Sequence, residues 1–180
     1  MGALSRARVS LLVVTVLVLQ LTAGAAISVG GVHPDLMVLV AVTAGLVGGP
    51  DRGAVVGFAS GLLADLFVHA PFGLSALAFT VVGYAVGIVH NSVLRATWPV
   101  AVLTAALGCA GGEALYAAVG AIVGESSWLT GRLEQVVAVV GSLDAAFAVV
   151  ALPAMAWAMQ VGRRRRSVNR VDTAKAGARW

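Results

Sequence analysis

The sequence predicts an all-α fold, a polytopic bundle of about six transmembrane helices, and three observations carry that expectation. Of 180 residues, 59% are hydrophobic, where a soluble domain has about 45–50%. Only 11% are charged, against about 25% in a soluble domain. The mean hydropathy is +0.95. A water-soluble globule of this size has no interior large enough for so much apolar surface, and a disordered chain is poor in aliphatic residues. The 22 glycines point to helices that pack closely, as small residues allow in membranes.

The spans follow from length. A helix rises about 1.5 Å per residue and the hydrocarbon core is about 30 Å thick, so a crossing takes roughly 20 residues. The first span is expected over 9–29, which carries no charge. Arg6 and Arg8 before it and Ala23-Gly24-Ala25 within it have the layout of a secretory signal. The apolar run is longer than the usual signal core of about 7–15 residues, so an uncleaved anchor is expected. The second span is placed at 34–47, with His33-Pro34-Asp35 opening it and Asp35 suited to cap it. Gly48-Gly49-Pro50 breaks that helix, and Asp51 is expected to cap the third, placed at 53–68. The His69-Ala70-Pro71-Phe72-Gly73 turn leads into the fourth, at 74–90. The fifth is placed at 98–123 and the sixth at 136–160, so that 1–162 forms the membrane domain. Residues 163–180 are expected to be a basic, disordered cytoplasmic tail.

Charge placement sets the orientation. With six spans and the amino terminus inside, Arg6, Arg8, Arg52, Arg95 and the run Arg163, Arg164, Arg165 and Arg166 all face the cytoplasm, as the positive-inside rule requires. Arg132 falls outside, with Glu125 and Glu134. A re-entrant pair over 36–68 would strand Arg52. The arginine run is thus a topology signal beside anionic membrane lipid, and no nucleic acid partner is expected despite the net charge of +4. Trp98, Trp128 and Trp157 fall near span ends, where amphipathic rings settle.

Enzyme chemistry finds little footing. Lys175 is the only lysine, which leaves no phosphate-binding glycine loop. In Gly57-Phe58-Ala59-Ser60-Gly61 the serine is fourth of five, out of place for a nucleophile elbow. His33, His69 and His90 lie far apart, Cys109 has no partner cysteine, and no cofactor or metal site is expected. Four acids do stand out at or within the spans: Asp35, Asp65, Glu113 and Asp144. Carboxyl groups are costly in hydrocarbon and normally face a bundle interior or polar cavity. The four are candidates for one outward-facing polar cavity or partner groove, the alternative being hydrogen-bonded packing between helices. Gly53, Gly57 and Gly61, then Gly83 and Gly87, then Gly108 and Gly112 repeat at fourth positions, as do Ala106, Ala110, Ala114 and Ala118. Such ridges are expected to pack helices within the bundle, with a partner helix as the second reading of the fifth span.

One stretch is also familiar as a pattern. His33-Pro34-Asp35-Leu36 opens a short hairpin, Gly61-Leu62-Leu63-Ala64-Asp65-Leu66 closes it, and Pro71-Phe72-Gly73 precedes Leu74 to Gly87 with Val82-Gly83-Tyr84. Over about 32–90 this resembles the rod shape-determining protein MreD family. The resemblance implies a non-enzymatic scaffold or regulator of the bacterial cell-wall elongation machinery. It also implies a place in the cytoplasmic membrane and partners that include an MreC-like protein and peptidoglycan synthases. Asp35 and Asp65 lie in the matched motif, and the family supplies no catalytic role for them. MreD-like proteins are similar in architecture to the substrate-binding components of energy-coupling-factor transporters, and such a subunit is the alternative function. Those components dock through an Ala-xxx-Ala face on the first span. Here only Ala3 and Ala7 have that spacing, beside the bulky 13–19.

Overall fold

A computed structural model describes residues 3–23, 35–67, 71–89, 98–123 and 141–159. The described residues form helices α1 (Ala3–Ala23), α2 (Leu36–Gly48), α3 (Pro50–Asp65), α4 (Leu74–Ile88), α5 (Trp98–Val123) and α6 (Gly141–Met159). Among them α1, α5 and α6 are long and apolar enough to cross a membrane, and α2 and α4 are shorter apolar helices. The predicted tail at 163–180, Trp128 and the arginine run lie outside the described residues, as do His33, His69 and His90.

α2 is the axis of the bundle. Leu36 through Leu46 are all buried, the signature of a helix that is apolar on every side and enclosed on every side. Met37 and Val38 have no exposed surface. Val40 and Ala44 meet Val9 and Val13 of α1 and Met155 of α6 in one apolar cluster. Val42 and Val38 lie against Gly108 and Gly112 of α5. Because protein surrounds it, a helix of 13 residues, about 20 Å long, has no need to match the bilayer thickness.

Backbones touch where α2, α3 and α4 meet. A methyl group on Gly45 or Gly53 would collide with the Gly83 carbonyl oxygen, and one on Gly57 with that of Phe79. On Gly61 it would sit 2.5 Å from the Ser75 oxygen, and on Gly83 2.5 Å from the Gly53 oxygen. On Gly87 it would strike Pro50. The ridge expected from Gly53, Gly57, Gly61, Gly83 and Gly87 therefore packs within the chain, backbone against backbone. Gly45 belongs to the same seam.

Three helix boundaries correct the sequence reading. α3 begins at Pro50, capped by Gly49 rather than by Asp51, which lies in the first turn. Proline fits the first helical position because its missing N–H would have no partner there, so the helix starts three residues before Gly53. It ends at Asp65, short of 68. Gly49 alone joins α2 to α3, at φ 87°, a left-handed value that a glycine adopts without strain. α1 also starts earlier than 9, at Ala3, because the helix runs on through the charged rim that hydropathy leaves out.

Contacts also fix how the helices run. The Arg8 guanidinium lies 4.5 Å from the Trp157 ring centroid, which puts the start of α1 beside the end of α6. Met159 of α6 reaches Gly48, and Gly87 reaches Pro50, so the α2–α3 link and the end of α4 share that face. Gly108 packs near Val86, Gly112 near Val82 and Gly120 near Leu74, so α5 runs antiparallel to α4. Arg6, Arg8 and Arg52 gather at this basic end. Asp35, Asp65 and the start of α4 lie towards the other.

Candidate functional site

At that other end each acid has a different setting. Asp35 precedes α2 and caps it: its Oδ1 accepts from the Met37 N–H at 2.9 Å and the Val38 N–H at 3.3 Å. Those are two of the orphan donors that every helix start leaves. The same oxygen accepts from Gln20 Nε2 of α1 at 3.2 Å. Gln20 Oε1 is buried and has no partner among the described residues.

Asp65 serves a different helix. Its Oδ2 accepts from the Gly73 N–H at 2.9 Å and the Ala76 N–H at 3.3 Å, and its Oδ1 from the Ser75 N–H at 3.1 Å. Gly73 stands at the cap position of α4 with φ 98° and has no side chain to cap with. The last residue of α3 thus caps the first turn of α4 from across the turn, where the helix dipole also favours an acid. Ser75 in turn hydrogen-bonds with Tyr116 of α5.

Glu113 and Asp144 come from α5 and α6. Glu113 is within electrostatic reach of both Asp35 and Asp144, and Asp144 of Asp35. Three of the four acids expected from sequence are therefore within reach of one another, and Asp65 is not among the groups that act on them. Asp144 has no exposed surface. The Cys109 thiol lies against its carboxylate, yet neither oxygen meets hydrogen-bond geometry with any described group. Glu113 keeps some exposed surface.

Chemically, the arrangement can bind helices to one another and offer an acidic edge. Among the described residues no group of His, Cys, Asp and Glu is placed to hold a metal ion. Hydroxyls elsewhere are turned inward: Thr15, Thr22, Thr43 and Thr104 each donate to the carbonyl four residues back, at 2.7–2.8 Å, which satisfies them inside an apolar medium. Sequence reasoning missed Gln20, Cys109, Ser75 and Tyr116. Gln20 was detectable as the one amide in the first apolar run. The other three carry no local signal.

Residues 5–123 match the family model of the rod shape-determining protein MreD. The chain belongs to the MreD family. Membership makes it a membrane protein with a part in rod shape determination, in a family of structural, shape-determining proteins. The match takes in Asp35, Asp65 and Glu113 and stops short of Asp144. Comparison with curated proteins gives no match, and comparison with solved structures gives none either.

Proposed function

We propose that this MreD-family chain is a non-enzymatic scaffold and regulator of the bacterial cell-wall elongation machinery. It acts by holding an MreC-like protein and peptidoglycan synthases in the cytoplasmic membrane. Family membership over residues 5–123 is the observation that carries the reading. The packing supports it: glycine contacts lock α2, α3 and α4 into a stiff block, which suits a part that positions others.

In this reading the chain crosses the membrane six times with both termini in the cytoplasm, and its architecture is that of the energy-coupling-factor substrate-binding components. Gathering of Arg6, Arg8 and Arg52 at one end supports that orientation. Asp35, Glu113 and Asp144 form the polar edge of a partner groove, with Glu113 as the residue a partner meets. Asp65 belongs to the groove's floor and acts by fixing α4. The run Arg163 to Arg166 holds the carboxyl end inside.

Affinity purification from native membranes in mild detergent, with co-purifying proteins identified by mass spectrometry, tests the proposal. Recovery of an MreC-like protein with wall synthases is the expected result. Recovery of a transmembrane coupling subunit with its ATPases would overturn it in favour of a transporter subunit.

A further inference from the structure

A groove of about 300 Å³ runs between α1 and α3. Val9, Val13 and Val14 of α1 and Val55, Val56, Ala59 and Leu63 of α3 make its walls, and Arg6 and Ser10 stand towards its basic end. No acid is among the lining residues. Arg6 is exposed and has no ion pair or hydrogen bond among the described residues. From Arg6 to Val14 the groove follows α1 for about 12 Å, parallel to the helix axes. Its polar groups, Arg6 and Ser10, lie in the half nearer the basic end, and the rest of the lining is aliphatic.

We infer that this groove is a binding site for one anionic phospholipid, its headgroup phosphate on Arg6 and Ser10 and an acyl chain along Val9, Val13, Val56 and Ala59. Charge complementarity selects the headgroup: an unpaired guanidinium at the charged rim attracts an anion, and a phosphate accepts its planar donors two at a time. Location agrees, because Arg6 shares its end of the bundle with Arg8 and Arg52, the end that faces anionic headgroups when basic residues lie inside. A second groove, between α1, α2 and α6, is lined by Leu12, Leu36, Phe147 and other residues of no charge, and so offers nothing to a headgroup.

The test uses the full chain in detergent micelles supplemented with phosphatidylglycerol or phosphatidylcholine, with bound lipid counted by native mass spectrometry. The wild type is expected to retain phosphatidylglycerol over phosphatidylcholine. Arg6→Gln is expected to lose that preference by about fivefold, the worth of one basic residue at an anionic surface. Ala59→Phe, which fills the groove from α3, is expected to lower retention of both lipids. Arg52→Gln, at the same end but outside the lining, is expected to keep the wild-type preference. An unchanged preference in Arg6→Gln would overturn the site, and so would an equal loss in Arg52→Gln. Cross-linking supplies a second measure, with Ala59→Cys in a Cys109→Ala background. Capture of a protein partner or of a second copy at position 59 in native membranes would also overturn it.

Discussion

The block of α2, α3 and α4 and the long helix α5 use the same residue, glycine, in opposite ways. In the block, a methyl group on Gly53, Gly57, Gly61 or Gly83 would meet backbone. On α5, one on Gly108 would meet the Val42 and Val86 side chains at 3.0 Å, one on Gly112 the Val38 side chain, and one on Gly111 nothing at all. Side chains can turn aside and backbones cannot, so one spacing in the sequence stands for a rigid seam in the first case and an adjustable one in the second. Length follows the same division. The enclosed helix α2 has 13 residues, whereas α5 has 26 and shows Leu103, Leu107 and Ile122 to the outside, the profile of a helix bounded by lipid.

The comparison breaks most readily at Gly53. Gly53→Val drives a branched side chain into the Gly83 carbonyl and the Gly45 backbone, and is expected to cost about 3 kcal/mol or more. The protein should then fail to elute as a single species from size exclusion in detergent, while Gly111→Val stays within about 0.5 kcal/mol of the wild type. Equal behaviour of the two variants would end the distinction between the regions.

Asp65→Ala comes next. It orphans three N–H groups at the start of α4 and is expected to cost about 2 kcal/mol, read as a lower thermal midpoint by circular dichroism, with Asp65→Asn recovering part of it. On the adjustable side, Gly112→Ala is expected to cost about 1 kcal/mol, since only Val38 must move. Glu113→Leu sharpens the comparison differently. It should leave the thermal midpoint within a few degrees while recovery of partner proteins from native membranes falls. Unchanged recovery would remove Glu113 from any partner groove. The smallest effect is expected from Arg8→Gln, which loses the contact with Trp157 and about 0.5–1 kcal/mol.

Much of this was legible in the sequence, for identifiable reasons. Hydropathy reflects the apolar helices, and the fourth-position glycines of α3 and α4 stand at the seam, because both patterns depend on neighbours along the chain. Asp35 was readable as a cap for the same reason. Asp65 was not, since it caps α4 from the end of α3 and no local pattern joins position 65 to positions 73–76. The boundary of α3 at Pro50 is hidden because proline in that setting reads as a breaker, and here it is the first helical residue. The meeting of Asp35, Glu113 and Asp144 depends on three helices converging, and residue spacing contains no record of that. Sequence supplied the acids as a set and left Cys109 and Gln20 out of it.

The single-residue link at Gly49 bears on how the protein enters the membrane. α2 is apolar throughout, whereas α3 carries Asp51, Arg52 and Asp65 and many small residues, a poor candidate for partitioning into lipid alone. With one residue between them, the translocation machinery has no length of chain with which to release α2 before α3 arrives. In the six-span reading proposed above, the two leave it as a preassembled hairpin, with α2 shielding the backbone of α3. Lengthening the link with a flexible insert separates the two events and should lower the yield of correctly inserted chain, even where the finished fold could accommodate the extra loop. The tight turn is thus an instruction for biogenesis as well as a feature of the finished molecule.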